Sequence, residues 1–171
     1  MAFVVEDGSA RADANSYLSV ADADAYWADH GAPVTWTGVD AVKEAALRAA
    51  TAYLDRRFGA RFRGCRVSSL QRLAWPRNGA VRDGYELESN ALPRELKEAT
   101  AELALRQLTE SGGLMPDVAD PSNIIAESVS VGPISESKTY DGSGKALEKR
   151  WTVVDVLMRA ITRGQEIGHT G

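Results

Sequence analysis

The sequence predicts a mainly α fold: a small helical bundle with a β-hairpin or extended arm near residues 125–140 and a C-terminal helix. Three observations carry that prediction. Apolar residues recur at three- and four-residue spacing in several stretches, as a helix with one buried face requires. Gly, Pro and capping residues punctuate those stretches where helices start and stop. Between Ile125 and Tyr140 the pattern changes to alternation, the signature of extended chain. At 171 residues the chain has the length of one domain. We expect a single domain over residues 1–164 and a loose tail over 165–171.

The first helix is expected over Val20–Asp29. Ser19 with Asp22 three residues on forms a capping-box variant, and His30-Gly31 ends the helix. A longer second helix starts at Asp40 and stops at Gly59, with Val42, Ala46, Ala49 and Tyr53 on one stripe and Leu47, Ala50 and Leu54 widening it. Residues 69–75 have room for two helical turns before Pro76 closes them. Residues 77–92, with Asn78-Gly79 and Asp83-Gly84, read as loop. Pro93 suits the first turn of a third long helix that runs to about Glu110. Its stripes, Leu96-Ala99-Leu103 and Ala101-Leu105-Leu108, should pack on two sides, with alanines permitting close approach to the second helix at the centre of the core. Val129 and Val131, Gly132-Pro133, then Ile134 to Tyr140 give the hairpin or arm. Two strands alone are marginal in water, so this arm should lie against something else. Thr152 and Asp155 cap a last helix with Val154, Leu157, Met158 and Ile161 on one face, stopped at Gly164.

Charge is segregated along the chain. Residues 1–55 carry nine acids against three bases, residues 83–171 fifteen against nine, and residues 56–82 eight arginines with no acid and no lysine. A formal net charge of −4 therefore conceals a basic band. Arg alone, without Lys, points to bidentate, geometric contacts with carboxylate or phosphate. Within and beside this band, Arg61, Arg63, Arg66, Trp75 and Arg77 are candidate assembly-interface residues, as are Val131, Ile134 and Tyr140 of the arm. Trp75 beside arginines could instead stack on a base of single-stranded nucleic acid, or simply fill the core.

Little else suggests chemistry. One Cys and two His cannot make a four-ligand zinc site or a disulfide framework. Cys65 lies between Arg63 and Arg66, which would lower a thiol pKa, but no sequence neighbour completes a nucleophilic pair. Asp22 and Asp24 point to different sides of a helix. Gly142-Ser143-Gly144-Lys145 lacks the first Gly and the final Ser or Thr of a phosphate loop, since Thr139 and Ala146 stand there. No apolar run is long enough to span a membrane, and the short apolar stretch of Met1 to Asp7 has no basic n-region. The sequence thus predicts no enzyme, no cofactor, no metal, and a protein neither secreted nor membrane-spanning.

Several segments, in order, resemble the head-tail connector adaptor (head completion) proteins of long-tailed bacteriophages, including members labelled DnaT-like single-stranded-DNA-binding. They are Ala14-Asn15-Ser16-Tyr17 with Val20 to Tyr26, Ala52-Tyr53-Leu54-Asp55, Leu73-Ala74-Trp75-Pro76-Arg77 with Asp83-Gly84, Pro93 to Ala104, and Val131-Gly132-Pro133-Ile134. The resemblance implies a structural virion protein of the neck: a helical fold with an arm, forming a ring, commonly a dodecamer, between the portal and the tail or stopper, with packaged DNA passing by. Such a protein would reside in the virion and, during assembly, in the host cytoplasm. Rings need two different complementary faces per subunit, which acidic outer segments and a basic middle can supply. The alternative is a DnaT-like single-stranded-DNA-binding module.

Overall fold

A computed structural model describes residues 2–110, 113–114, 126–131, 134–139 and 150–163. It divides into a body, Met1–Leu114 with Trp151–Gly171, and a second unit, Met115–Arg150. The body holds helices α1 (Val20–Asp29), α2 (Asp40–Phe58), α3 (Arg94–Thr109) and α4 (Thr152–Arg159). It also holds two short antiparallel ladders: β1 (Cys65–Arg66) with β2 (Arg77–Asn78), and β3 (Val81–Arg82) with β4 (Tyr85–Glu86). In the second unit β5 (Ala126–Val131) pairs antiparallel with β6 (Ile134–Thr139) in unbroken register from Ala126↔Thr139 to Val131↔Ile134.

The fold is therefore a small mixed α/β structure, which corrects the expectation of a mainly α bundle: the described residues form four helices and three two-stranded antiparallel sheets. The error has a physical source. Residues 77–92, expected as loop, contain β2, β3 and β4, and two-residue strands are too short to show a period of two. Gly79 and Gly84 sit at φ +63° and +87°, turn conformations that L side chains avoid. The two turns expected over residues 69–75 do not form. There the amides of Ala74 and Trp75 are taken by the Tyr17 hydroxyl and the Asp55 carboxylate, and that of Ser68 by Gln71, so side chains outcompete the helical ladder for these donors.

The four helices lie close to their expected bounds. Ser19 caps α1 by accepting from the Asp22 amide at 3.0 Å. Neither α2 nor α4 has a side-chain cap; Asp40 and Thr152 are instead their first residues, preceded by Val39 and Trp151. The centre of the core is the α2–α3 seam, where Leu47, Ala50, Leu54, Leu96, Ala99, Leu103 and Ala104 are all fully buried. Alanines on both helices bring the two backbones close. α3 also packs on α4, whose Val154 and Met158 are buried, as is Ile161 just beyond it. Val42, expected in the stripe of α2, is 45% exposed.

Gly64 permits the crossing that joins β1 to β2. Its φ is +72°, and a Cβ there would lie 2.2 Å from the Asn78 carbonyl oxygen. Gly64→Ala should lower stability by roughly 1–3 kcal/mol, read as a fall in the denaturant midpoint at unchanged m. Leu103→Asp should abolish folding, since an unpaired buried charge costs several kcal/mol against a total stability of about 5–15 kcal/mol. A soluble Leu103→Asp protein with an unchanged melting temperature would contradict the placement of α3.

Candidate nucleic-acid and assembly surface

The arginine-rich segment is held by a polar knot at the C-terminal end of α2. The Tyr17 hydroxyl donates a short hydrogen bond to Asp55 Oδ1 and accepts from the amides of Ala74 and Trp75 at 3.1 and 3.2 Å. Asp55 Oδ2 accepts from the Ala74 amide at 3.0 Å, and the Tyr17 amide donates to Thr51 Oγ1 at 3.2 Å. Gln71 Nε2 bonds the carbonyls of Leu73 and Pro76 at 2.9 and 3.1 Å. The Trp75–Pro76 peptide is cis, and Trp75 is fully buried with its ring edge-on to Phe62, centroids 5.8 Å apart.

Arg77 closes the knot from the other side. Its guanidinium is bonded to four carbonyls, those of Arg63 (2.7 Å), Ala74 (3.1 Å), Phe62 (3.4 Å) and Gly64 (2.7 Å). Burial, reinforced by the nearby Arg66 charge, lowers its pKa, yet a guanidinium stays protonated in a protein. Its fork thus acts as a bracket between the β1 and β2 segments. Burial likewise pushes the Asp55 carboxyl above its usual range, against the pull of the Tyr17 and Ala74 hydrogen bonds and of the Arg66 and Arg77 charges. The Tyr17 phenol is raised well above 10 by burial and by Asp55.

The remaining arginines divide by neighbourhood. Arg57 pairs with Asp155 of α4 at 3.6 Å and Arg82 with Glu95 of α3 at 3.1 Å. Arg63 donates to the carbonyls of Thr162 and Val81, both at 3.1 Å. Arg61 lies 4.9 Å from the Phe58 ring centroid, half-buried, while Arg56 and Arg66 are exposed. A bridge between Phe62 and Thr162 brings Arg163 beside this group, its amide donating to the Arg61 carbonyl at 2.8 Å. Among the described residues Arg56, Arg61, Arg66 and Arg163 have no carboxylate at ion-pair distance. They form a cationic surface at the end of α2.

Of the interface candidates, Arg61, Arg63 and Arg66 come together here. Trp75 and Arg77 lie beneath them in the interior, 0% and 9% exposed, because the knot needs both; neither side chain offers a surface for stacking or pairing. Val131 and Ile134 face each other in register across the β5–β6 turn. Tyr140 and the Gly142–Lys145 stretch lie outside the described residues. Sequence reasoning missed Tyr17, Asp55, Gln71 and Arg163. The first two stood in the quoted segments, but partners 38 residues apart leave no periodic signal. Cys65 is exposed, its Sγ 3.9 Å from the Asn78 carbonyl. No group of three potential metal ligands occurs among the described residues, and none of their helices is long and apolar enough to cross a membrane.

Fold and surface together define a compact α/β body with an arginine-rich face and a separate hairpin unit. A family model described as "Putative DnaT-like ssDNA binding protein" matches residues 1–170; the chain belongs to that family. No curated protein and no solved structure matches it.

The knot yields two expectations. Tyr17→Phe removes one donor and one acceptor from buried partners and should cost about 1–3 kcal/mol, measured by chemical denaturation. Because the folded state holds the Asp55 proton more tightly than the unfolded chain, the contribution of this group to stability is fully present below its ordinary value of 3.8 and is lost as pH rises through its raised folded value. Asp55→Asn should flatten that part of the stability–pH curve. An identical slope in both proteins would show that Asp55 titrates normally.

Proposed function

We propose that this chain is a structural virion protein of the neck, a head-tail connector adaptor that forms a ring, of twelve subunits by the resemblance, below a portal protein and links the capsid to a tail or stopper. The observation that carries this reading is the placement of the aromatics. Single-strand binding without sequence preference uses a groove with successive aromatic platforms. Here Trp75, Trp27 and Trp36 are at most 9% exposed, Tyr17 and Tyr53 at most 3%, and among the described residues Tyr85 is the one aromatic in the exposed class. What remains outside is charge and isolated aliphatic side chains, which suit contact with protein. The resemblance, which includes an arm in such proteins, supports the same reading.

In this role the protein acts without catalysis or cofactor, in the virion and, before that, in the host cytoplasm. The family description and the unpaired arginines support a second reading, a DnaT-like module that holds single-stranded DNA through its backbone.

Two measurements separate them. Under the connector reading the protein co-purifies with its portal and appears as an added ring beneath it by electron microscopy. Free protein should then bind single-stranded oligonucleotides no more tightly than charge-only contact allows, roughly 1–100 μM at physiological salt. Tighter binding that falls steeply with salt, together with no association with the portal, would replace the connector with the DNA-binding reading.

A further inference from the structure

The body of this chain is electrically and chemically two-ended, and α2 sets the separation. At 19 residues the helix is about 27 Å long. Its C-terminal end carries the cationic surface of Arg56, Arg61, Arg66 and Arg163. The loop tied to that end by the Ala74–Asp55 bond also presents two apolar side chains to solvent, Leu70 at 78% and Val67 at 39% exposure. Isolated exposed aliphatics are ordinary, but here Leu70 projects from an arginine-rich surface, with Arg66 and Arg72 on its own loop both exposed.

The N-terminal end of α2 is the counterpart. Val34 and Val39 are 90% and 69% exposed, and the exposed carboxylates of Asp29 and Asp40 lie at the end of α1 and the start of α2. At this end opens a cleft of about 220 Å³ lined by Trp27, Ala28, Ala32, Pro33 and Trp36, with Asp24 and Lys43 on its wall. Asp24 fixes this wall, accepting from Trp36 Nε1 at 2.7 Å and pairing with Lys43 at 2.8 Å. The cleft is therefore held open by its own Asp24–Trp36–Lys43 contacts and lined mostly by apolar side chains, with the exposed carboxylates of Asp29 and Asp40 on the adjoining helix ends, while the opposite end of the same body is an apolar projection among exposed arginines. Both features exclude self-pairing of like ends and favour one end meeting the other.

We propose that copies of this chain associate head-to-tail through these two ends, with Leu70 of one copy seated in the Trp27–Trp36 cleft of the next and Arg61 and Arg66 facing Asp29 and Asp40. This rests on the connector reading and gives its ring a specific contact. A contact between unlike surfaces repeats and closes if the rotation per step allows, a central apolar anchor ringed by polar groups is the usual energetic pattern, and opposite charges set which ends meet.

The test uses the full chain and three variants, each first shown to melt like the wild type. Leu70 is exposed, so Leu70→Ser should fold normally and still weaken association at least tenfold by sedimentation at low salt. Arg61→Glu with Arg66→Glu makes both ends acidic; Asp29→Lys with Asp40→Lys makes both ends basic. Each double variant alone should lose association by about 100-fold, since facing like charges cost several kcal/mol. An equimolar mixture of the two should restore it through alternating copies. If either double variant associates like the wild type, if the mixture does not recover, or if the wild type stays monomeric at the highest soluble concentration, the head-to-tail contact is overturned. Co-purification with the portal is scored separately, so the connector reading can survive that loss, or fail while self-association persists.

Discussion

The structure depends on one buried interaction, the hydrogen bond from the Tyr17 hydroxyl to the Asp55 carboxylate with the amides of Ala74 and Trp75 folded onto the same pair. It joins the segment before α1, the last turns of α2 and the irregular chain before β2, which are far apart in sequence. Burying a carboxylate without a salt bridge is costly, and the raised pKa of Asp55 reports that cost. What offsets it is that nearly every polar atom around the carboxylate is satisfied. A fully connected buried network admits few alternative arrangements, so a loop with no regular secondary structure of its own is held in one conformation.

That constraint explains why the arginines of one sequence band have different fates. Arg77 enters the interior because the irregular chain leaves four carbonyls converging on one point, and the guanidinium fork can satisfy several at once where an ammonium could not. Arg57 ties α2 to α4 and Arg82 ties β3 to α3, each through a carboxylate. Arg56, Arg61 and Arg66 are left at the surface, where Arg163 joins them. The residues that serve the fold and those free to meet a partner are thus interleaved, and burial separates them. Asp40 at the first turn of α2 and Arg56 and Arg57 at its last turn also complement the helix dipole. The two-ended charge distribution is consistent with helix stability as well as with association.

The family description names single-stranded DNA, and the cationic surface is compatible with a phosphate backbone. The described aromatics argue for a different use: Trp75 is buried against Phe62, and Trp27 and Trp36 line a cleft at the other end of α2, so none of these rings stands on the cationic surface. An arginine surface without stacking platforms has no preference for single strands over any other anion, and an acidic face of a neighbouring subunit satisfies it equally. On these grounds the protein-contact reading is the one we propose, with the nucleic-acid reading of the family description as its alternative.

The helices were legible in the sequence because each obeys a local rule. Ser19 and Asp22 cap α1, the stripe from Ala46 to Leu54 and that from Leu96 to Leu103 repeat at helical spacing, and Val154 and Met158 mark one face of α4, which stops at Arg159, short of the expected Ile161 and Gly164. Alternation between residues 126 and 139 likewise gave the hairpin. The basic band was also readable from residue order alone. Tertiary structure decided what local pattern cannot encode. Two-residue strands carry no period, so the ladders of residues 65–86 and the mixed α/β class went unread. A helix over residues 69–75 looked plausible until distant Tyr17 and Asp55 claimed its amides. Trp75 and Arg77 looked like surface candidates because composition does not report burial. Arg163 joined the cationic surface only through the bridge between Phe62 and Thr162, a contact across a hundred residues of chain. In each case the deciding partner is far away in sequence, and side-chain hydrogen bonds and burial, which depend on the assembled fold, outweigh the local preference.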